Sequence, residues 1–486
     1  MPIALALDNV VLSASLMAES IPGEPAVMSL MNGTDGFASS CPRPFSIGSI
    51  EPMRRSSREE RRRAAEAAGW NVALLDPRAI TVDLHSDSAT APPLARQTAA
   101  ALAGPHCADD PVSRAELKRE IASLTGKTQV VLFAQGRAAE AALCDALPLN
   151  GTVAAANCIF PSTRFHLQRR DCHVEECPAP GLLDLETGDP FLGNPNLGRV
   201  RDVLYDPTVD ATSVWLELAC NGAFGQPVSL GGIERVGALA GHLGAKLYVD
   251  ATRALENAVL VRRREERASR LPVRDLVREL LKGAHAVTAS CLKSFHSQVG
   301  GFVATDDEEL ATQLEDLSLA RGDGLAGPAC QMLLEGVRVA STDEFAEDRC
   351  LQAARLHQRL ACAGLPVRWP EAAHAVFLDA LAFLPQLRRD QHAAKALALA
   401  LYLKSGIRID EHFLPAALQA AGRSYVRIAI PARRYLDDQI DWVADELAAL
   451  FRSPLQIAAL EQLPGKPGLA ASMCPRFSMN SAAVSS

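Results

Sequence analysis

A lysine, an aspartate and an arginine, far apart in the chain, each lie at or just beyond a short apolar run. Lys293 follows the run His285 to Ala289 within Val287-Thr-Ala-Ser-Cys-Leu-Lys-Ser294, and two glycines, Gly300 and Gly301, turn the chain back into Phe302-Val-Ala-Thr305. A lysine just past a buried strand loses hydration. That disfavours its charged form and leaves an amine able to attack a carbonyl. Taken singly, a loop lysine is an ordinary surface residue, so its company decides the matter.

Asp250 ends the run Lys246-Leu-Tyr-Val249, with Arg253 on the next turn. A carboxylate at a buried strand end needs a positive partner. Either Arg253 supplies it as a structural ion pair, or a protonated ring nitrogen does. After Gln129 to Ala134 comes Gln135-Gly136-Arg137, opening a helix. A glycine there lets free backbone N–H groups approach a phosphate, with the dipole and Arg137 adding favourable charge. A short helix-initiating turn explains the same three residues equally well. After Val214 to Ala219 comes Asn221, then Gln226-Pro227. An aspartate for a pyridinium, a lysine for an aldehyde and a Gly/Arg/Ser set for a phosphate together describe pyridoxal phosphate (PLP). Ser290 fits a phosphate donor, and Phe160 fits a ring-stacking residue, although alone it reads as core.

The elements that must hold these residues alternate strand and helix: 129–134, 136–147, 152–156, 214–219, 230–243, 246–249, 273–281 and 285–289. This order implies an α/β fold, a mostly parallel sheet with helices on both faces and ligands at the carboxyl ends of its strands. From about residue 340 long helices take over, 342–363 and 390–405, then a strand 424–430 and a helix 435–451. We expect a large domain over 85–339 and a smaller α+β domain from 44–84 plus 340–461. Residues 1–42 read as a poorly ordered extension and 462–486 as a loose tail.

At 486 residues the chain is too long for one core. Its net charge of -8 gives no electrostatic case for nucleic acid or an anionic membrane, and no apolar run reaches the roughly 18 residues a spanning helix needs. Twelve cysteines without a CxxC pair argue for reduced thiols in a cytoplasmic setting and against zinc; no metal site is expected. The N-terminus lacks a basic residue before Arg43 and carries Asp8 and Glu19, against secretory or mitochondrial targeting.

With these residues assembled, the chain resembles the tryptophanase and tyrosine phenol-lyase family of β-eliminating lyases from about Pro44 to Phe451. The blocks that carry the likeness are Gln135-Gly-Arg137, Asn221 with Gln226-Pro-Val-Ser229, Asp250-Ala-Thr-Arg-Ala-Leu-Glu-Asn-Ala258, Lys293 to Gly301 and Val426-Arg-Ile-Ala-Ile-Pro431. The resemblance implies the PLP-dependent transferase fold of type I, with a seven-stranded sheet in the large domain, and a homo-oligomer, dimer or tetramer, with shared active sites. It implies that Lys293 bonds the cofactor aldehyde, that Asp250 pairs with the ring nitrogen, and that Asn221 and Arg253 contact the ring hydroxyl. Gln135, Gly136, Arg137 and Ser290 would hold the phosphate, Phe160 the ring, and Arg427 the substrate carboxylate. Ser86 and Ser88 belong with the substrate side.

The departures from the family gather on the leaving-group side. The family's general-acid tyrosine falls at about Ala108, beside His106 and Cys107; its second lysine is Leu292 here; and His412 stands where phenol-lyases place an arginine over the substrate ring. An acidic ligand of the family's monovalent cation falls near His106, so the resemblance does not carry that cation over. The expected activity is a PLP-dependent elimination on a small β-substituted amino acid that is neither tryptophan nor tyrosine. β-Replacement, retro-aldol cleavage and transamination share the same residues, as does a non-catalytic paralogue.

Overall fold

In the computed structural model of the chain, the residues described are 52–103, 110–184, 187–453, 457–464 and 475–479. The expected extension, 1–42, lies outside them, as do His106, Cys107 and Ala108.

Seven strands form the main sheet: β1 (Gln129–Phe133), β2 (Val153–Ala156), β3 (His173–Glu176), β4 (Ala211–Glu217), β5 (Lys246–Asp250), β6 (Ala286–Ser290) and β7 (Gly301–Thr305). Their spatial order is β1-β7-β6-β5-β4-β2-β3. Only β7 runs antiparallel to its neighbours, so the other six share one direction. Their carboxyl ends therefore meet at one edge of the sheet, where an α/β fold leaves its ligand crevice.

Helices cover the sheet because their apolar residues recur on one side. In Val273–Leu281, Val273, Leu276, Val277, Leu280 and Leu281 are buried, the i, i+3, i+4, i+7, i+8 stripe of a core-facing helix. Helix Leu230–His242 starts where Ser229 accepts a hydrogen bond from the N–H of Gly232. Helix Glu308–Arg321 starts at the Asp307 cap and stops at Gly322, whose left-handed φ of 64° suits glycine.

A second sheet contains β8 (Ala375–Asp379), β9 (Asp410–Glu411) and β10 (Tyr425–Ala429), with β10 central and antiparallel to both neighbours. Val82–Asp83 pairs with Ile407–Arg408. Val72, Val82 and Leu84 share a core with Leu356, Tyr402, Ile428 and Val443, so early residues and the last third of the chain bury one apolar surface. Among the described residues no helix is long and apolar enough to cross a membrane.

Besides the two-residue strands at 407–408 and 410–411, two longer strands escape the sequence pattern. β3 is an edge strand in which only Val174 is deeply buried, so it lacks an apolar signature. The Ala375–Asp379 run is too short and too evenly apolar for periodicity to separate strand from helix. The expected loose tail also needs correction over 475–479. Phe477–Met479 pairs antiparallel with Leu460–Gln462, and Phe477 is buried with its N–H donated to Gly69 O at 2.9 Å.

Candidate cofactor site

The carboxyl ends of β1, β4, β5 and β6 and two loops from elsewhere enclose a cavity of about 300 Å³. Lys293, Asp250, Arg253, Arg427, Ser86, Ser88, Gln135, Gly136, Arg137, Phe160 and Ser290 all line it. Seven separate stretches of chain thus bring to one place residues more than 300 positions apart, from Ser86 to Arg427.

On the β1 side, the helix Gly136–Ala146 begins with no side chain capping its first N–H groups. It starts hard against β6: a Cβ on Gly136 would lie 2.4 Å from the Cβ of Ser290, and one on Gly301 would lie 2.6 Å from the Cα of Gly136. Glycine is required by proximity here. The result is a cradle of uncapped N–H groups beside the Ser290 hydroxyl and Arg137, which suits a phosphate.

Across the cavity, the Lys293 Nζ lies 5.4 Å from the Phe160 ring centroid. Burial, and after it the positive charge of Arg253, push the lysine below its ordinary value, against the pull of Asp87, Asp250 and Glu217. A larger share of neutral amine follows, the form that attacks an aldehyde. Asp250 faces the same cavity, and its Oδ1 accepts from the N–H of Thr252 at 2.9 Å. Thr252 in turn accepts from the N–H of Ser290 at 2.9 Å, which ties the ends of β5 and β6 together.

Asp250 and Arg253 do not form the ion pair that their spacing allows. Arg253 turns instead to Asp87, donating from Nε at 3.1 Å and from Nη2 at 3.0 Å. Arg349 adds a second guanidinium at 3.4 Å. Burial alone would raise the Asp87 carboxyl, but Arg253, His374 and Arg349 hold it well below the usual range. Asp250 is left facing the cavity without a side-chain ion pair among the described residues.

Arg427, on β10, donates from Nη1 to the Asn221 Oδ1 at 2.9 Å and from Nη2 to the His85 carbonyl at 3.2 Å. Asn221 does not line the cavity itself; it braces Arg427 from behind. Like Asn221, His412 is a sequence candidate that does not line the cavity. Its buried ring packs 4.7 Å from Phe377 and 5.5 Å from Phe224, centroid to centroid, and its backbone N–H donates to Tyr425 O at 2.8 Å, just beyond the short strand β9. Burial and the neighbouring Arg427 keep it neutral.

Sequence reasoning passed over several lining residues: Asp87, Glu140, Ser162, Glu217, Thr252 and Thr288. Glu217 carried a usable signal, a lone charge inside the apolar run Val214 to Ala219. Asp87 carried none, since an acid between two loop serines looks solvated until the fold buries it.

A neutral-prone lysine, an unpaired carboxylate and an anion cradle within one crevice define a pyridoxal-phosphate-dependent enzyme of the type I fold. Solved serine palmitoyltransferases share that architecture. One holding PLP superposes with a TM-score of 0.55 at 18% identity, over 76% of this chain and 87% of that one. The Sphingomonas wittichii enzyme does so with 0.55 at 15%, over 77% and 88%. The chain belongs to the beta-eliminating lyase family, whose model matches residues 83–446, and it is a PLP-dependent lyase. It is 31% identical over 440 residues to a tyrosine phenol-lyase of Symbiobacterium thermophilum, covering 88% of this chain and 96% of that one. It is 32% identical over 424 residues to a probable tryptophanase of Aeropyrum pernix, covering 84% and 90%.

Proposed function

We propose that the protein catalyses α,β-elimination from a β-substituted amino acid other than tryptophan or tyrosine, releasing pyruvate, ammonia and the β-substituent. The observation that carries this reading is the meeting of Lys293, Asp250 and Arg427 around one cavity. Bound pyridoxal phosphate supplies an electrophilic aldehyde for the substrate amine and an electron-withdrawing ring for the charge left at the α-carbon. Lys293 Nζ binds the aldehyde at rest and takes the α-proton during turnover. Asp250 keeps the ring nitrogen protonated, and Arg427, braced by Asn221, clamps the α-carboxylate through its planar fork. Gln135, Gly136, Arg137 and Ser290 hold the phosphate, and Phe160 covers the ring. Arg253 orders the Ser86–Ser88 loop through Asp87, and that loop walls the substrate side.

The restriction on substrate is supported by Leu292, which lines the cavity where the family carries a lysine, and by Ala108, which offers no acid at the family tyrosine's position. A leaving group that departs without protonation at carbon, such as a thiolate, removes the need for that acid. We further read the chain as a cytoplasmic homo-oligomer with a cofactor domain over 85–339 and a smaller domain from 44–84 plus 340–461. An amino acid panel on the PLP-loaded protein, assayed for keto acid, tests the activity. Turnover of S-substituted cysteines with inert tryptophan and tyrosine is expected, and efficient indole or phenol release overturns the substrate assignment.

A further inference from the structure

A carboxyl group that the elimination scheme does not use stands in the wall of the cofactor cavity. Glu217 ends β4, directly opposite Asp250 in the parallel register of β4 and β5. Aligned residues of paired strands present their side chains to the same face, so the two acids lie side by side. Glu217 is only 3% exposed. One of its oxygens is accounted for: Oε1 accepts the N–H of Asn221 at 3.0 Å and lies 3.9 Å from Arg253 Nη1. The other, Oε2, is buried and has no hydrogen-bond partner among the described residues. A structural role toward Arg253 and Asn221 therefore explains half of this carboxyl and leaves the other half unexplained.

Buried polar atoms are seldom left unpaired, because an unmet one keeps the full penalty of its lost hydration. The missing partner belongs where the side chain has open space, and for Glu217 that space is the cavity. We propose that Glu217 is a cofactor-contacting residue that stays protonated in the resting enzyme and donates its Oε2 proton as a hydrogen bond to an oxygen of the bound pyridoxal ring. Two acids one strand apart then divide their roles by charge. Asp250 is the anion that matches a ring nitrogen, and Glu217 is the neutral acid that matches a ring oxygen. Burial and the neighbouring Asp250 charge push the Glu217 carboxyl up to about 8, against the pull of Arg253, the Asn221 N–H and Lys293. Arg427 is a further cation whose charge Glu217 feels. Two carboxyls placed this close in a dry site do not both ionise readily.

The inference rests on the cofactor reading, and its test separates the two. PLP binding and the visible spectrum of the lysine-bound cofactor are followed against pH in the wild type, Glu217→Gln, Glu217→Ala and Lys293→Ala, with circular dichroism of each apoprotein as a check on folding. Glu217→Gln keeps a neutral donor. It is expected to bind PLP as the wild type does and to match its spectrum below pH 7, but to lack the spectral change that the wild type shows on passing about pH 8. Glu217→Ala removes the donor and is expected to weaken PLP binding roughly tenfold, one hydrogen bond of about 1.4 kcal/mol. Wild-type affinity and pH response in Glu217→Ala overturn the proposal. So does a Glu217→Gln variant as weak as Glu217→Ala, which would make the ionised form the working one. Failure of the wild type to form a lysine-dependent visible band would instead strike the cofactor reading itself.

Discussion

Asp87 and Arg253 form a two-pronged ion pair at 3.0 and 3.1 Å with side chains 1% and 2% exposed. They lie 166 positions apart. This pair locks the loop bearing Ser86 and Ser88 onto the start of the helix that follows β5. Because Arg349 also reaches Asp87, one carboxylate neutralises two buried guanidinium groups. Replacing Asp87 by Asn leaves Arg253 with only Glu217 at 3.9 Å and Arg349 with only Glu256 at 3.6 Å as ion-pair partners among the described residues, and breaking a buried pair costs about 3–5 kcal/mol. Urea unfolding of Asp87→Asn is expected to show a loss of that size, partly recovered when Arg253 is also changed to Met.

Lys293→Ala is expected to abolish the visible band that forms when PLP is added and to lower turnover by roughly 10²–10⁴-fold, the range of a lost proton-transfer group. Lys293→Arg is expected to do no better, because a guanidinium does not give up its proton near neutrality. A band that survives in either variant would move the aldehyde to another amine.

Arg427→Ala is expected to cost roughly ten- to a hundredfold in kcat/KM, as charge-assisted hydrogen bonds are worth about 1.5–3 kcal/mol. PLP affinity should stay the same, since the loss falls on the substrate. Asn221→Ala removes the brace at 2.9 Å and should show a smaller loss, mainly in KM. Steady-state kinetics with PLP titrations distinguish the two.

Gly136→Ala forces a methyl group to within 2.4 Å of Ser290. The helix must then withdraw from β6, and the phosphate cradle opens with it. A rise of at least about tenfold in the PLP dissociation constant is expected, from the loss of one or more phosphate hydrogen bonds. Fold and secondary structure should persist, as read by circular dichroism.

Asp410 supports the strand beside Arg427 and predicts an acid limit. Burial opposes its ionisation, but the His85 ring at 3.3 Å and the Lys395 ammonium at 2.7 Å hold it down at about 2. A carboxyl whose value is depressed on folding contributes stability above its unfolded value, near 4, and loses it as pH falls toward 2. Wild-type stability should therefore drop by roughly 2 kcal/mol on acidification across that window through this group. Asp410→Asn should be less stable at pH 7 and show a shallower decline, by urea unfolding at each pH.

Much of the scaffold was legible because periodicity is local. The helix Val273–Leu281 has the bounds its apolar stripe implies, and β6 and β7 follow from two apolar runs around Gly300 and Gly301. The edge strand β3 was not legible, because an edge residue need not be apolar. The site divides in the same way. Lys293, Asp250 and the Gln135–Arg137 turn stand out where a polar residue interrupts or ends a buried run. His412 looks as polar in sequence as any of them, yet its ring is packed against Phe224 and Phe377.

By itself the sequence determined the strand–helix alternation, the crevice edge and the residue types able to hold an aldehyde, a ring nitrogen and a phosphate. Each of these depends on side chains within a few positions of one another. Only the tertiary structure decided the pairings: that Arg253 turns to Asp87 and leaves Asp250 free, that Asn221 braces Arg427, and that Glu217 keeps one oxygen for the cavity. The physical reason is that the energy of a charge depends on its burial and on partners tens to hundreds of residues away, and no local pattern encodes either.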